Sequence, residues 1–279
     1  MRIGCLGLGR MGWQIAAHLA GHDDLHDLVV FDVVEGHGPG WVAEHGGRAA
    51  DSVAAAVADA EFVITSLPSD RELQVVADEL VPVISGGAIW VDHSTTSARI
   101  AREVGDRMSA VDAHFLDAPV SGGVDGARKG SLTVMAGGDE DAFSRAVPVM
   151  EMYAARVRRM GDTGAGQLTK MTNQICVVGL CQALAEGLDF ASRAGLDVED
   201  VVQAMLQGSS TSWQMENRAD KMSAGDYDFG FSTTLMRKDI GLVLDEASAM
   251  SISLPVTALV GQFLADVDAM GGADWDWCS

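Results

Sequence analysis

Residues 7–12 read Gly-Leu-Gly-Arg-Met-Gly and follow directly on the apolar run Ile3-Gly4-Cys5-Leu6. A second apolar run, Leu28-Val29-Val30-Phe31, closes on Asp32, twenty residues beyond Gly12. A strand, a glycine turn, a helix and a second strand ending in an acid form the dinucleotide-binding fingerprint in its required context. Gly7 permits the tight turn, Gly9 lets the backbone approach a pyrophosphate, and Gly12 lets the new helix pack close to the strand. The pyrophosphate then meets unpaired N–H groups and the positive end of a helix dipole. Gly7, Leu8, Gly9, Arg10, Met11 and Gly12 are therefore candidate cofactor-binding positions. The Asp32 carboxylate suits the ribose hydroxyls and favours NAD over NADP, because Val33, Val34 and Glu35 supply no arginine for a 2′-phosphate. The plainer alternative is that Asp32 only closes a strand.

Outward from this unit, short β-like runs alternate with helical ones. The spacing predicts strands at 2–6, 28–32, 61–66, 88–92, 114–117, 131–136 and 156–160, with helices at 11–20, 51–58, 70–79, 97–109 and 139–150. Asp51-Ser52 and Ser69-Asp70 read as helix N-caps. Such alternation predicts an α/β, doubly wound, mostly parallel sheet. After the glycine cluster at 161–166 the pattern changes: apolar residues recur at helical spacing and no Pro intervenes up to 194. One long helix over 165–194 is expected, about 40 Å at 1.5 Å per residue. Further helices are expected near 197–207, 212–222, 233–250 and 255–270. The predicted organisation is a dinucleotide-binding domain at 1–163 and an all-helical substrate and oligomerisation domain at 164–279 that begins with the long interdomain helix.

The chain has 279 residues and a net charge of −21, with 40 acids against 19 bases. That field repels nucleic acid and anionic membrane. No apolar stretch reads as long and clean enough to span a bilayer, and the N-terminus runs straight into a strand, which leaves no room for a signal peptide. The four cysteines, Cys5, Cys176, Cys181 and Cys278, lack metal or Cys-x-x-Cys spacing and read as reduced thiols of a cytoplasmic protein. His18, His22 and His26 recur every fourth residue, but no carboxylate or cysteine completes a site, so no metal is expected. His93 and His114 read as structural. The tail Trp275-Asp276-Trp277-Cys278-Ser279 either docks on a neighbour or frays.

The chemistry-bearing stretches follow predicted strands. Thr65-Ser66-Leu67-Pro68-Ser69 and Asp92-His93-Ser94-Thr95-Thr96-Ser97 point toward the cofactor if the strands run parallel, and otherwise are turns with caps. In Asp117-Ala118-Pro119-Val120-Ser121-Gly122-Gly123, a proline stiffens the strand exit, and one hydroxyl and several unobstructed N–H groups follow. This is either a carboxylate cradle built from dipoles or an ordinary glycine turn. Only Lys129, Lys170, Lys221 and Lys238 are lysines, so each is informative. Lys170, Asn173 and Gln174 fall at i, i+3 and i+4 and share a helix face, which is either solvated or lines a cleft where a shielded lysine exchanges protons near neutral pH. Lys238-Asp239 reads as a surface pair or as a group reaching toward the cleft.

Four motifs, in order and over nearly the full length, resemble the β-hydroxyacid dehydrogenase family, the group around 3-hydroxyisobutyrate dehydrogenase. They are GLGRMG at 7–12, DAPVSGGVDGARKGSLTVMAGG at 117–138, GAGQLTKMTNQ at 164–174 and LMRKDIGL at 235–242. The resemblance implies a Rossmann-type domain, a long interdomain helix and a helical domain that builds homodimers or homotetramers. It implies Lys170 as general acid/base, Ser121, Gly122 and Gly123 as binders of the substrate carboxylate, and Asn173 near the reacting carbon. Leu67, Pro68 and Thr95 would line the nicotinamide pocket, with Lys238 contacting cofactor or substrate. The implied activity is hydride transfer between NAD and a short 3-hydroxy acid. Gln174 departs from the second Asn usual in 3-hydroxyisobutyrate dehydrogenases, which leaves room for relatives acting on other short acids. The family's semialdehyde reductases often carry Asn-Arg where this chain has Asp32-Val33, and its imine reductases usually lack the lysine. Two alternatives stand beside this reading: a short-chain semialdehyde reductase using NAD or NADP, and an inert nucleotide-binding scaffold.

Overall fold

A computed structural model describes residues 1–22 and 27–279. In chain order the first half comprises β1 (Arg2–Leu6), α1 (Gly12–Ala20), β2 (Asp27–Phe31), α2 (His37–His45), β3 (Arg48–Ala49), α3 (Val53–Val57), β4 (Phe62–Thr65) and α4 (Asp70–Leu80). There follow β5 (Ile89–Asp92), α5 (Ala98–Ser109), β6 (His114–Asp117), β7 (Val120–Ser121), α6 (Gly123–Arg128), β8 (Leu132–Gly137), α7 (Glu140–Met150) and β9 (Ala154–Gly161). The second half comprises α8 (Ala165–Arg193), α9 (Val198–Met205), α10 (Trp213–Ala224), α11 (Thr233–Ala249) and α12 (Pro255–Val267), the last running into a π-type turn at Asp268–Gly272. The chain divides into two compact units, Met1–Lys170 and Met171–Ser279.

In the first unit the sheet order is β3-β2-β1-β4-β5-β6-β8-β7, with β9 paired to β8. β1 to β6 run parallel, while β8 runs antiparallel to β6 and β7. Alternating side chains feed two cores. Ile3, Cys5, Val30 and Ile64 face α1 and α7 through Ile15, Leu19, Ala146 and Val149. Leu6, Val29, Val63 and Trp90 face α4 and α5 through Leu73, Leu80, Val104 and Met108. Strands buried on both faces read as continuous apolar runs, which is why the sequence shows them plainly. Ser52 and Ser69 cap their helices, each hydroxyl accepting from a backbone N–H, of Ala55 and Arg71 respectively, at 3.2 Å.

The short elements α2, β3, β7 and α6 do not appear among those that the spacing predicts. α2 holds two glycines and a proline in nine residues, so propensity argues against a helix. It forms because Trp41 is fully buried and its indole N–H donates to the Trp13 carbonyl at 3.2 Å. Pro39 sits in the first turn, where its missing N–H would have had no helical partner.

The second unit is helical, with two small cores. Val178 of α8 packs with Met236, Ile240, Val260 and Leu264, and Leu184 and Leu188 pack with Val202, Met215 and Ala219. α8 corrects the expectation that no segment could span a bilayer: by length and composition it is apolar enough to cross a membrane. Lys170 is the only charged residue between 165 and 185, and the helix also supplies side chains to both small cores. The C-terminal tail docks on its own unit. Asp276 is fully buried and accepts from the Phe231 and Cys278 N–H groups at 3.0 and 3.2 Å, and the Trp275 carbonyl accepts from Thr233 N at 2.8 Å.

Candidate active site

Parallel pairing lines up Phe31, Leu6, Thr65, Asp92 and Asp117 in one row at the carboxyl edge of the sheet. The strand order reverses direction at β1 and β4, and open α/β sheets bind ligands in the crevice at such a switch point. The glycine loop lies there. Gly7 has φ +87°, and a Cβ on it would strike the Ser66 carbonyl. A Cβ on Gly12 would strike the Gly7 carbonyl oxygen, so this helix begins in contact with the turn. A Cβ on Gly9 would meet nothing within 4 Å, which leaves an open floor for an incoming pyrophosphate. Arg10 is exposed, Met11 half-buried, and Leu8 buried beneath them.

Asp32 does more than end a strand. Its two oxygens accept from Leu8 N at 2.6 Å and Val34 N at 2.7 Å, and His37 Nδ1 lies 3.5 Å from it. The carboxylate thereby fixes the glycine loop to the end of β2. These residues fit a dinucleotide: open backbone at Gly9, a helix start beside it and a carboxylate held at the end of β2.

The neighbouring loops are laced together. Leu67 N donates to Ser94 Oγ at 2.8 Å, and Ser94 Oγ donates to Asp92 Oδ1 at 2.5 Å. Thr65 Oγ1 donates to the same Asp92 oxygen at 2.6 Å and accepts from Trp90 Nε1 at 2.8 Å. Gln167, fully buried on α8, donates to the Ser94 carbonyl at 2.8 Å and accepts from Thr96 N at 3.1 Å. Asp117, also fully buried, caps α8 by accepting from Gly164 N and Gln167 N at 2.7 and 2.8 Å. Thr95 is half-buried between the two backbone groups that Gln167 grips. Pro68 is exposed and Leu67 half-buried.

Ser121 ends β7 half-buried, paired opposite Thr133, and Gly122 and Gly123 are exposed with φ +124° and +62°. Lys170, 9% exposed, stands one turn beyond Gln167 on α8. The first unit thus holds the glycine loop, Asp32, Leu67, Pro68, Thr95, Ser121 to Gly123 and Lys170. In the second unit Asn173 Nδ2 donates to Gln174 Oε1 at 2.9 Å, and Gln174 Nε2 donates to Asp239 Oδ2 at 2.7 Å. Lys238 Nζ lies 3.0 Å from Oδ1 of the buried Asp239, so the pair is not wholly at the surface.

Sequence reasoning assigns no role to Asp117 or Gln167. The signals are present: Asp117 is an acid closing a strand, as Asp32 is, and Gln167 precedes Lys170 by one helical turn. His18 of the histidine stripe is engaged with the Ala127 and Arg128 carbonyls at 2.9 and 3.1 Å, bracing α6 on α1. His26 lies outside the described residues.

Two buried groups below the site titrate in opposite senses. Burial holds His93 down to about 4 against a lesser upward pull from its bond to the Ala118 carbonyl. Its Nδ1 donates to that carbonyl at 2.6 Å, and Nε2 accepts from the Tyr153 hydroxyl at 2.8 Å, as a neutral ring does. Burial pushes Asp117 up to about 6, while the backbone N–H donors pull the other way. As pH falls from about 7 to 4, the unfolded chain protonates His93 before the folded one does, so this group costs stability. Asp117 takes its proton earlier in the folded state and returns stability over the same range. His93→Gln keeps a donor and an acceptor without titrating. Its stability relative to the parent is therefore expected to improve by on the order of 3 kcal/mol between pH 7 and pH 4, read from urea unfolding at each pH. A constant difference would show that His93 does not remain neutral.

Comparison with known proteins identifies the family. Residues 2–162 match a family model described as the NAD binding domain of 6-phosphogluconate dehydrogenase. Residues 164–279 match one described as NAD-binding of NADP-dependent 3-hydroxyisobutyrate dehydrogenase. The chain belongs to the β-hydroxyacid dehydrogenase family. This dehydrogenase is 46% identical to an uncharacterized oxidoreductase of Shewanella frigidimarina, over 100% of its own length and 96% of the relative's. It is 36% identical to the 3-hydroxyisobutyrate dehydrogenase of Pseudomonas aeruginosa, covering 92% and 89% of the two chains. The solved structure of Mycobacterium tuberculosis 3-hydroxyisobutyrate dehydrogenase with L-serine superposes with a TM-score of 0.92 at 32% identity, over 100% of this chain and 97% of that one. The enzyme is an oxidoreductase with a nicotinamide cofactor, and its Rossmann-type sheet, long helix and helical second half are those of its relatives.

Proposed function

We propose that the enzyme transfers hydride between NAD and a short 3-hydroxy carboxylate, with Lys170 as general acid/base. The observation that carries this reading is the placement of Lys170. It is a nearly buried amine one turn past Gln167, whose side chain holds the loop bearing Thr95 at the carboxyl edge of the sheet. Bound there, the nicotinamide supplies a hydride acceptor. Lys170 Nζ takes the hydroxyl proton in the oxidising direction and returns it to the carbonyl oxygen in reverse. Ser121 Oγ and the N–H groups of Gly122 and Gly123 hold the carboxylate, and Asn173 orients the reacting carbon. Leu67, Pro68 and Thr95 would line the nicotinamide pocket, and Lys238 would contact cofactor or substrate. The L-serine in the Mycobacterium tuberculosis relative, itself a 3-hydroxy carboxylate, supports this substrate class.

The Asp32 carboxylate, held by the Leu8 and Val34 N–H groups, supports NAD over NADP, because a 2′-phosphate beside it would add like charge. Asp32→Ala is expected to weaken NAD roughly 10-fold or more, the scale of losing hydrogen bonds to a charged group, and to narrow the preference over NADP. Titration of both cofactors by tryptophan quenching reads this. Unchanged discrimination would remove Asp32 from ribose recognition.

The reading includes a cytoplasmic homodimer or homotetramer without nucleic-acid or membrane partners. The net charge of −21 supports the exclusion of phosphate-rich partners. Exposed Phe190, Val256, Leu259 and Met270 in the second unit support self-association. The deciding experiment is a panel of short 3- and 4-hydroxy acids and semialdehydes against NAD and NADP, followed by nicotinamide absorbance. Turnover of 3-hydroxy acids with NAD supports the proposal. Preference for a semialdehyde with NADPH would favour a reductase, and tight cofactor binding with no turnover would mark an inert binder.

A further inference from the structure

Gln167 is fully buried, and each polar group of its side chain is used on backbone rather than on another side chain. Its amide oxygen accepts from Thr96 N at 3.1 Å and its amide nitrogen donates to the Ser94 carbonyl at 2.8 Å, so it pairs with the loop as a neighbouring strand would. Its own N–H donates to Asp117 Oδ2 at 2.8 Å, four residues upstream of Ser121. Ser94 is held from the other side through Leu67 N at 2.8 Å. One residue therefore ties together the Thr95 loop, the strand end that leads into the Ser121 turn, and α8, which carries Lys170 at i+3. Residues at that separation are neighbours on a helix face.

We propose that Gln167 is a positioning residue that sets the distance between the Lys170 amine and the Thr95 loop. The inference rests on Lys170 as the acid/base. Buried backbone groups must be paired, which an apolar residue at 167 would not achieve, and a carboxylate could accept from Thr96 but not donate to Ser94. Displacement of a catalytic group by about 1 Å costs on the order of 100-fold in rate. A purely structural amide would cost stability and leave the chemistry of the folded enzyme alone.

The test compares Gln167→Met with the parent. Because the chain has four lysines, Lys129, Lys170, Lys221 and Lys238, reductive ¹³C-methylation gives a spectrum in which Lys170 is identified by its loss in Lys170→Ala. In folded Gln167→Met, the Lys170 resonance and its titration are expected to move while those of Lys129 and Lys221 stay. On unlabelled enzyme, kcat is expected to fall roughly 10–100-fold with the NAD Kd nearly unchanged. A lowered melting temperature with an unmoved Lys170 signal and parental kcat would overturn the proposal. A moved Lys170 signal with full kcat in both Gln167→Met and Lys170→Ala would keep the positioning role and remove the acid/base reading beneath it. Should Gln167→Met fail to fold, Gln167→Glu, which retains the bond from Thr96 N, takes its place. Failure of both to fold makes Gln167 a folding residue and ends the proposal.

Discussion

Lys170→Ala is expected to lower kcat by about 10²–10⁴-fold, the range over which a positioned acid/base contributes, with the NAD Kd nearly unchanged. In the proposed site the glycine loop and Asp32 would hold the dinucleotide, and they lie on other elements of the first unit, so removal of an amine on α8 leaves their Leu8–Asp32 bond intact. Lys170→Arg separates proton transfer from simple electrostatics. Arginine keeps the positive charge and remains protonated at any working pH, so it preserves attraction for a carboxylate but accepts no proton. The expected result is a kcat close to that of the alanine variant with a smaller effect on KM. Stopped-flow measurement of a single turnover reads the chemical step directly. Parental turnover in either variant would remove Lys170 from the reaction.

The second large effect concerns the glycine loop, where two neighbouring substitutions are expected to diverge. In Gly12→Ala the new methyl would press into the Gly7 carbonyl oxygen and also approach the Ser66 Cβ at 3.4 Å. The first belongs to the glycine turn and the second to the loop after β4, and neither is a flexible side-chain end. Overpacking of this kind costs roughly 1–3 kcal/mol, so the melting temperature falls and NAD binding is lost with it. In Gly9→Ala the methyl meets no protein atom within 4 Å, so the melting temperature stays with the parent. The methyl instead occupies the space through which a pyrophosphate approaches the backbone, and NAD affinity falls about 100-fold, the scale of losing two charge-assisted hydrogen bonds. Calorimetric titration and a thermal melt on each variant read the contrast. Equal melting temperatures for the two variants, or undiminished NAD affinity in Gly9→Ala, would contradict the geometry.

These two sets of expectations differ in how visible their basis is in the chain itself. The glycine roles are local. A strand, a turn and a helix start lie within a dozen residues, and the spacing to Asp32 is set by one helix and one strand. The long helix is also local, because apolar periodicity without proline persists from 165 to 193. The α2 helix is hidden because its glycines and proline argue against helix while a distant core claims Trp41. The docking of the tail is undecidable from local pattern for the same reason, since its partners at Tyr227, Phe231 and Thr233 are more than forty residues away.

The amino-acid order by itself determined the parallel α/β half, the helical half, the glycine turn and the lysine at position 170, because each follows from periodicity and from residue types acting over a few positions. Only the tertiary structure decided that Asp32 grips Leu8, that Asp117 caps α8 and that Gln167 ties Ser94 and Thr96 to the helix bearing Lys170. Those bonds join residues 24 to 73 positions apart. They form because burial at the carboxyl edge of the sheet leaves each polar group no water to bond, so it takes whichever distant partner the fold brings within reach.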